Sequence, residues 1–322
     1  QSSDQLVYGG EKQPNRYING YVTEDQNYLV ISASQNTSGN QIYVMDLNKP
    51  NQTIVQLEDD YFSRCSVVDN DGNKFFLYTN IDAPNYRLIS VKLNRPSKWI
   101  DVIPESENVL RVGSGGGYFF ANYLVDAKSE IKQFNYKGAL VRTVKLPGFG
   151  SAGGFGAKKD EKELYYSFSS YTYPSTTFKY DIENGESSLY RKPEIDFEPS
   201  NYVTEQVFYQ SKDFTKIPMF ITYKKGIERN GQNPTILYGY GGFNISQTPR
   251  FSATNIVWLE NGGVYAVANL RGGGEYGEKW HLAGTKLNKQ NVFDDFIFAG
   301  EFLIENGYTS NDYLAIRGGS NG

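Results

Sequence analysis

The sequence predicts two architectures in series: about four blades of a β-propeller, then a domain of alternating strands and helices around a parallel sheet. Three observations carry this reading. Polar turns followed by aromatic or β-branched runs recur about every 45 residues through the first two thirds of the chain. Beyond residue 203 apolar strands alternate with helical spacing. The last of those strands, at residues 313–316, leads into Gly-Gly-Ser-Asn-Gly at 318–322, a G-x-S-x-G pattern.

The repeat begins with Asp25 before Tyr28, Leu29, Val30 and Ile31. It returns as Asp71-Gly72 before Phe75, Phe76, Leu77 and Tyr78, as the glycines at 115–117 before Tyr118, Phe119 and Phe120, and as Asp160 before Leu164, Tyr165 and Tyr166. Each run precedes a second strand-like run, at 41–47, 86–93, 130–135 and 176–182. Short strands at this period are the signature of four-stranded blades, and four fit before residue 195. A closed propeller usually has more, because each blade buries both faces against neighbours. Further blades are therefore expected N-terminal to these. The pattern changes near 193–200, which places the domain division at 1–198 and 199–322. After it, runs at 203–209 and 217–223 flank the polar turn Ser211-Lys212-Asp213 and read as a hairpin. Residues 234–238 and 264–270 read as buried strands, and 288–305, with Phe293, Phe296, Ile297, Phe302 and Leu303, as a helix.

Composition narrows the function classes. The 322 residues are 39% hydrophobic and 15% aromatic, a globular balance long enough for two domains. Net charge is −4, which gives no overall field for a phosphate backbone, so nucleic acid is not an expected partner. Mean hydropathy is −0.53 and no window approaches the ~18–20 apolar residues of a bilayer span, so a soluble protein without membrane insertion is expected. One cysteine, Cys65, excludes a disulfide framework or thiolate cluster, and one histidine, His281, excludes a site of several imidazoles; no metal or cofactor is expected. The compartment, cytoplasmic or periplasmic, stays open. Of two G-x-G-x-x-G matches, 148–153 leads into a strand where a dinucleotide fingerprint needs a helix, and 272–277 follows a strand but holds Glu275 within it and has its next acids, Asp294 and Asp295, inside a helix, so neither is read as a cofactor site. The sequons at 36–38, 51–53 and 244–246 read as chance matches in an Asn-rich chain.

The chemistry concentrates at Ser320. G-x-S-x-G suits an α/β-hydrolase nucleophile because the serine sits on a tight strand-to-helix turn, and small flanking residues let backbones pass close. The Asn321 amide is placed to donate to an oxyanion. Residues 238–243, Tyr-Gly-Tyr-Gly-Gly-Phe, follow another strand and would let a backbone amide or tyrosine hydroxyl approach the same point. A serine needs a base, usually a histidine held by a carboxylate. His281, Asp294 and Asp295 all precede Ser320, whereas the α/β-hydrolase order is Ser, acid, His, so an internal triad would need an unusual topology. The simpler expectation packs Trp280 and His281 in a loop and sets the aspartates in a helix's first turn. The chain then reads as one piece of an enzyme whose acid and base follow.

Thr79-Asn80 with residues 83–87, residues 211–213 with 215–220, residues 237–246, 266–277 and 288–291, and the terminal 318–322 form runs that together resemble the prolyl oligopeptidase family of serine peptidases. The resemblance implies a seven-bladed propeller capping an α/β-hydrolase domain, of which this chain carries about four blades and the N-terminal part of the hydrolase. It implies a serine endopeptidase cleaving short peptides after proline, monomeric when complete, with the propeller excluding folded proteins. Ser320 matches the nucleophile, Asn321 an oxyanion amide, Tyr240 the tyrosine whose hydroxyl completes the oxyanion hole, and Phe243 a wall of the proline pocket. The family's later Asp and His, its proline-stacking tryptophan and its carbonyl-holding arginine are not among these residues. The family's substrate-facing propeller residues are not found at 31–45, where 33–40 reads as a different loop. A catalytically inactive propeller–hydrolase binding protein, or an oligopeptidase of different specificity, is the alternative.

Overall fold

The computed structural model describes residues 4–36, 39–49 and 53–322. Residues 37–38 and 51–52 of two of the sequons, and with them part of the loop 33–40, lie outside the described residues.

Four antiparallel sheets come first, each a meander of four strands in chain order. The first holds β1 (Tyr17–Val22), β2 (Tyr28–Ser34), β3 (Gln41–Asp46) and β4 (Ile54–Glu58). The second holds β5 (Cys65–Asp71), β6 (Lys74–Thr79), β7 (Arg87–Lys92) and β8 (Arg95–Ile103). The third holds β9 (Val109–Gly115), β10 (Tyr118–Val125), β11 (Lys128–Asn135) and β12 (Leu140–Thr143). The fourth holds β13 (Ser151–Gly153), β14 (Glu163–Ser169), β15 (Thr176–Asp181) and β16 (Ser187–Arg191).

Period-two side-chain alternation explains how these sheets stack as blades. On β6, Phe75 and Leu77 pack with Val30, Ile42 and Val44 of the first sheet, while Phe76 packs with Phe119 and Ala121 of the third. On β10, Phe119 and Ala121 face the second sheet, and Phe120 packs with Leu164, Tyr166 and Tyr180 of the fourth. The central strands thus bury both faces, one against each neighbour. Each fully buried Phe or Leu contributes about 1.5–3 kcal/mol of burial free energy. The outermost strand β16 and the first strand β1 are exposed along their whole length.

A five-stranded sheet follows, in the order β17 (Tyr202–Gln210), β18 (Lys216–Lys224), β20 (Val264–Ala268), β19 (Thr235–Gly239), β21 (Leu314–Arg317). It is mixed where a parallel sheet is expected. β19 runs parallel to β20 and β21, but β18 is antiparallel to both β17 and β20. The hairpin through Ser211-Lys212-Asp213 reverses the chain without a crossover and so cannot join a parallel pair. Helices cover both faces. On one, α1 (Ala253–Glu260) sets Ile256 and Leu259 against Phe220, Tyr265 and Val267. On the other, the 16-residue helix of residues 290–305 sets Ala299 and Leu303 against Met219, Ile221, Leu237 and Ala266. Between them lies the five-residue helix α2 (Glu278–Leu282), so the long helix is α3 (Gln290–Glu305). None of these helices is long and apolar enough to cross a membrane.

The third and fourth blades rest on this sheet. Ala127 and Tyr171 join the α1 cluster, the Tyr276 hydroxyl donates to Asp126 Oδ1 at 2.8 Å, and Gln206 Nε2 donates to the Asp126 carbonyl at 2.7 Å. Asp126 and Ala127 both have positive φ, +46° and +61°, as a two-residue hairpin turn between β10 and β11 requires.

Removing a ring from a blade interface leaves a cavity. Phe119→Ala is expected to lower unfolding free energy by about 3–5 kcal/mol, whereas Leu189→Ala, on an outer strand and 60% exposed, is expected to change it by less than about 0.5 kcal/mol. Denaturant titration of both variants checks the contrast.

Candidate active site

β21 ends at Arg317 and the backbone turns at once. Ser320 has φ +56°, a left-handed conformation that costs a non-glycine residue about 1–3 kcal/mol and persists only where packing enforces it. The Gly322 amide donates to the Gly319 carbonyl at 3.0 Å and closes the turn. The outer glycines permit it: a Cβ on Gly318 would overlap the backbone of Gly322, and one on Gly322 would overlap the Gly239 carbonyl at the end of β19. A Cβ on Gly319 would meet nothing. Ser320 is exposed, and its hydroxyl has no hydrogen-bond partner among the described residues.

The loop after β19 packs against this elbow. The Asn321 side chain lies where a Cβ on Gly242 would sit, and its Nδ2 donates to the Tyr240 carbonyl. Lys289 Nζ donates to the Gly241 carbonyl at 2.8 Å and approaches Asn321 Oδ1 at 3.5 Å, and burial pulls its pKa below the usual ammonium range. The loop is bent to fit: Gly241, Phe243 and Asn244 have φ of +56°, +54° and +56°. Asn321's side chain is thus used structurally, while its backbone amide has no acceptor among the described residues. Tyr240 is half-buried and its hydroxyl is likewise unpartnered among them; Phe243 is 73% exposed. The turn brings Ser320 and Asn321 against the loop that carries Tyr240 and Phe243.

His281 and the two aspartates do other work. His281 Nδ1 lies 2.7 Å from the Gly272 carbonyl, which also accepts from the Asn244 amide at 3.1 Å, so the imidazole fixes the loop and makes no hydrogen bond to Ser320. Asp295 departs from the expected first-turn role, since α3 has no acid in its first turn and Asp295 is 0% exposed. It accepts from Ser211 Oγ at 2.6 Å, from the Arg271 amide at 3.0 Å and from Arg271 Nη2 at 2.6 Å. Arg271 also pairs with Asp213, whose pKa its hydrogen bonds depress to about 2. Asp294 accepts from Gln290 Nε2 at 3.1 Å. This network clamps α3, the hairpin turn and the strand end leading to 271–274. Lys289 and Arg271 lie within or beside the sequence runs singled out above, but their roles depend on contacts across the fold that spacing does not reveal.

Glu275 is a second buried acid. It is 1% exposed; Oε1 accepts from the Gln247 amide at 2.7 Å and Asn269 Nδ2 at 3.1 Å, and Oε2 is unpartnered among the described residues. Burial raises its pKa to about 7.

A cavity of about 1020 Å3 opens where the blades meet the loops of the five-stranded sheet. All four blades contribute to its propeller wall, with Cys65 and Ser66 on β5 and Val109 and Arg111 on β9; Asn244, Ser246 and Glu278 are on the other side. Cys65 is 4% exposed and burial pushes its thiol up to about 12, so it is inert. Ser320, Tyr240 and Phe243 do not line this cavity, but Asn244 and Ile245, directly after Phe243, do.

Blades stacked on a mixed α/β sheet, with a strained serine on a glycine-flanked turn, define the class: a propeller joined to the start of an α/β peptidase domain. Residues 1–193 match the description "Prolyl oligopeptidase, N-terminal beta-propeller domain", and residues 249–322 match "Prolyl oligopeptidase family". The chain belongs to the prolyl oligopeptidase family. It is 56% identical to a prolyl endopeptidase of Elizabethkingia miricola over 324 residues, covering 100% of this chain and 46% of that one. A prolyl endopeptidase of Dictyostelium discoideum is 38% identical, at 100% and 45% coverage. Among solved structures, one from a study of two prolyl endopeptidases superimposes with a TM-score of 0.89 at 39% identity, covering 100% of this chain and 48% of the other. Prolyl oligopeptidase B of Galerina marginata bound to a 35mer substrate superimposes with a TM-score of 0.91 at 32% identity, covering 100% and 47%. The chain spans about half the length of these relatives.

Two outcomes are expected. Gly318→Ala and Gly322→Ala force backbone overlap and should lower the thermal midpoint of unfolding, while Gly319→Ala leaves it in place; differential scanning calorimetry on the three variants tests this. Glu275 binds its proton more tightly folded than unfolded, so the stability it adds is complete below pH ~4.5 and lost as pH rises through about 7, a fall of about 3 kcal/mol. Glu275→Gln should remove that part of the pH dependence in denaturation curves taken between pH 4 and 8.

Proposed function

We propose that the complete protein is a serine endopeptidase that cleaves short peptides on the carboxyl side of proline through an acyl-enzyme. The observation that carries this reading is the left-handed, exposed Ser320 on its glycine-flanked turn. In this reading Ser320 Oγ attacks the scissile carbonyl, forming the ester as the amine leaves, and water then hydrolyses the ester. The unpartnered Asn321 amide and the Tyr240 hydroxyl receive the charge that develops on the carbonyl oxygen, fixed beforehand by the contacts that hold the two loops together. The exposed Phe243 ring supplies an apolar wall for the proline. Supporting the proline specificity is the identity to proteins named prolyl endopeptidase.

The general base and its carboxylate come, in this reading, from the part of the complete protein that lies outside this chain, because His281 is committed to Gly272 and Asp295 to Arg271. The 322-residue chain alone is then inactive. Residues 1–198 form blades of a seven-bladed propeller whose cavity admits only oligopeptides, residues 199–322 begin the hydrolase domain, and the whole protein is a soluble monomer.

In the complete protein, Ser320→Ala should reduce kcat/KM on a proline reporter peptide by several orders of magnitude. Tyr240→Phe should lower kcat by roughly 10- to 1,000-fold with the fold intact, the effect of one lost oxyanion donor. Steady-state kinetics on both variants checks this; unchanged turnover in Tyr240→Phe removes the hydroxyl from the site.

A further inference from the structure

The cavity between blades and loops carries a charge arrangement that the chemistry at Ser320 does not use. Its propeller wall holds two guanidinium groups, Arg64 immediately before β5 and Arg111 on β9, both exposed into it. Tyr78 and Tyr86 line the same wall and stack with centroids 4.6 Å apart and planes 8° from parallel. Both arginines act electrostatically on both phenols, so the four groups form one cluster. The Tyr78 hydroxyl donates to the Leu110 carbonyl at 2.6 Å, which fixes the stack beside the peptide unit that carries Arg111.

Arg111 has no ion pair among the described residues. Among the described residues the one carboxylate lining the cavity is Glu278, half-buried on the opposite side at the start of α2 and likewise without an ion pair among them. Two cations thus face one anion across a recessed space. Low-dielectric walls focus such a field, and a guanidinium fork matches a carboxylate in two parallel hydrogen bonds. At about 1020 Å3 the space is at the upper end of small-molecule pockets, roughly 300–1,000 Å3, and takes a peptide segment instead. Its far wall continues into Asn244 and Ile245, next to the loop that packs on the Ser320 elbow. A peptide reaching Ser320 from this cavity would lay its distal part along the arginines.

We propose that Arg111, together with Arg64, binds a carboxylate of the substrate peptide, supplied by an acidic side chain or by the free C-terminus, and so sets a preference for anionic peptides. This deepens the peptidase reading and rests on it for the direction in which the peptide runs.

Binding separates the two. The complete protein carrying Ser320→Ala is titrated with fluorescently labelled proline peptides by anisotropy, in pairs differing by Glu against Gln or by a free against an amidated C-terminus. The carboxylate member of at least one pair should bind about 5- to 10-fold more tightly at low salt, with the advantage shrinking in 0.5 M salt; the pair that responds identifies the source. Adding Arg111→Met should bring the ratio near one, and adding Glu278→Gln should increase it. Equal binding within both pairs, or a ratio untouched by Arg111→Met, overturns the proposal. Should Arg111→Met fail to fold, the salt dependence of the parent ratio decides, and a preference unchanged by salt overturns it. Cleavage assays on the unsubstituted protein report separately: failure to cleave any of these peptides with the binding preference intact defeats the peptidase reading and leaves the carboxylate site standing.

Discussion

Two loops meet backbone to backbone at the end of the sheet, and the rest of the candidate site depends on that approach. Gly322 lies against the Gly239 carbonyl, Gly242 leaves room for the Asn321 side chain, and Gly318 lies against Gly322. A side chain at any of these positions would separate the serine from the loop bearing Tyr240 and Phe243. The strain of Ser320 at φ +56° is stored in the same contact. Asn321 uses its carboxamide on the Tyr240 carbonyl and Lys289 braces the Gly241 carbonyl, while the Asn321 amide has no acceptor among the described residues.

What holds those loops is a buried ionic network. Arg271 joins Asp295 of α3 to Asp213 of the β17–β18 turn at the end of the strand that leads into the 271–274 loop. Buried pairs of this kind bring little net stability over an apolar core, yet breaking one leaves a charge uncompensated. Their value here is geometric: the Gly272 carbonyl, reached from Arg271 by one residue, accepts from the Asn244 amide and lies 2.7 Å from His281 Nδ1. The single histidine is therefore part of the scaffold.

Much of this fold was legible because the blades' central strands bury both faces. Runs such as Phe75-Phe76-Leu77 and Phe119-Phe120-Ala121 are apolar without interruption, and the sequence repeats them at one period. The edge strands were not legible: β1 and β16 are fully exposed and carry no buried residue to mark them. α1 escaped notice because only Ile256 and Leu259 of its eight residues are buried. The parallel expectation held for β19, β20 and β21, and the hairpin expected across the polar turn is the antiparallel pair β17–β18; spacing did not reveal that β18 joins the same sheet, antiparallel to β20. G-x-S-x-G located the elbow directly, since a chemical need and a backbone need coincide there. The Arg271 network and the Arg64–Arg111 wall join residues from distant strands, which no local spacing can encode.

The central claim is that Ser320 is a reactive nucleophile. Its most direct test is to treat the complete protein with an organophosphate that phosphorylates activated serines, digest it, and locate the adduct by mass spectrometry. One adduct per chain on Ser320 is the predicted result. An unlabelled protein, or a label on any other residue, would contradict the account.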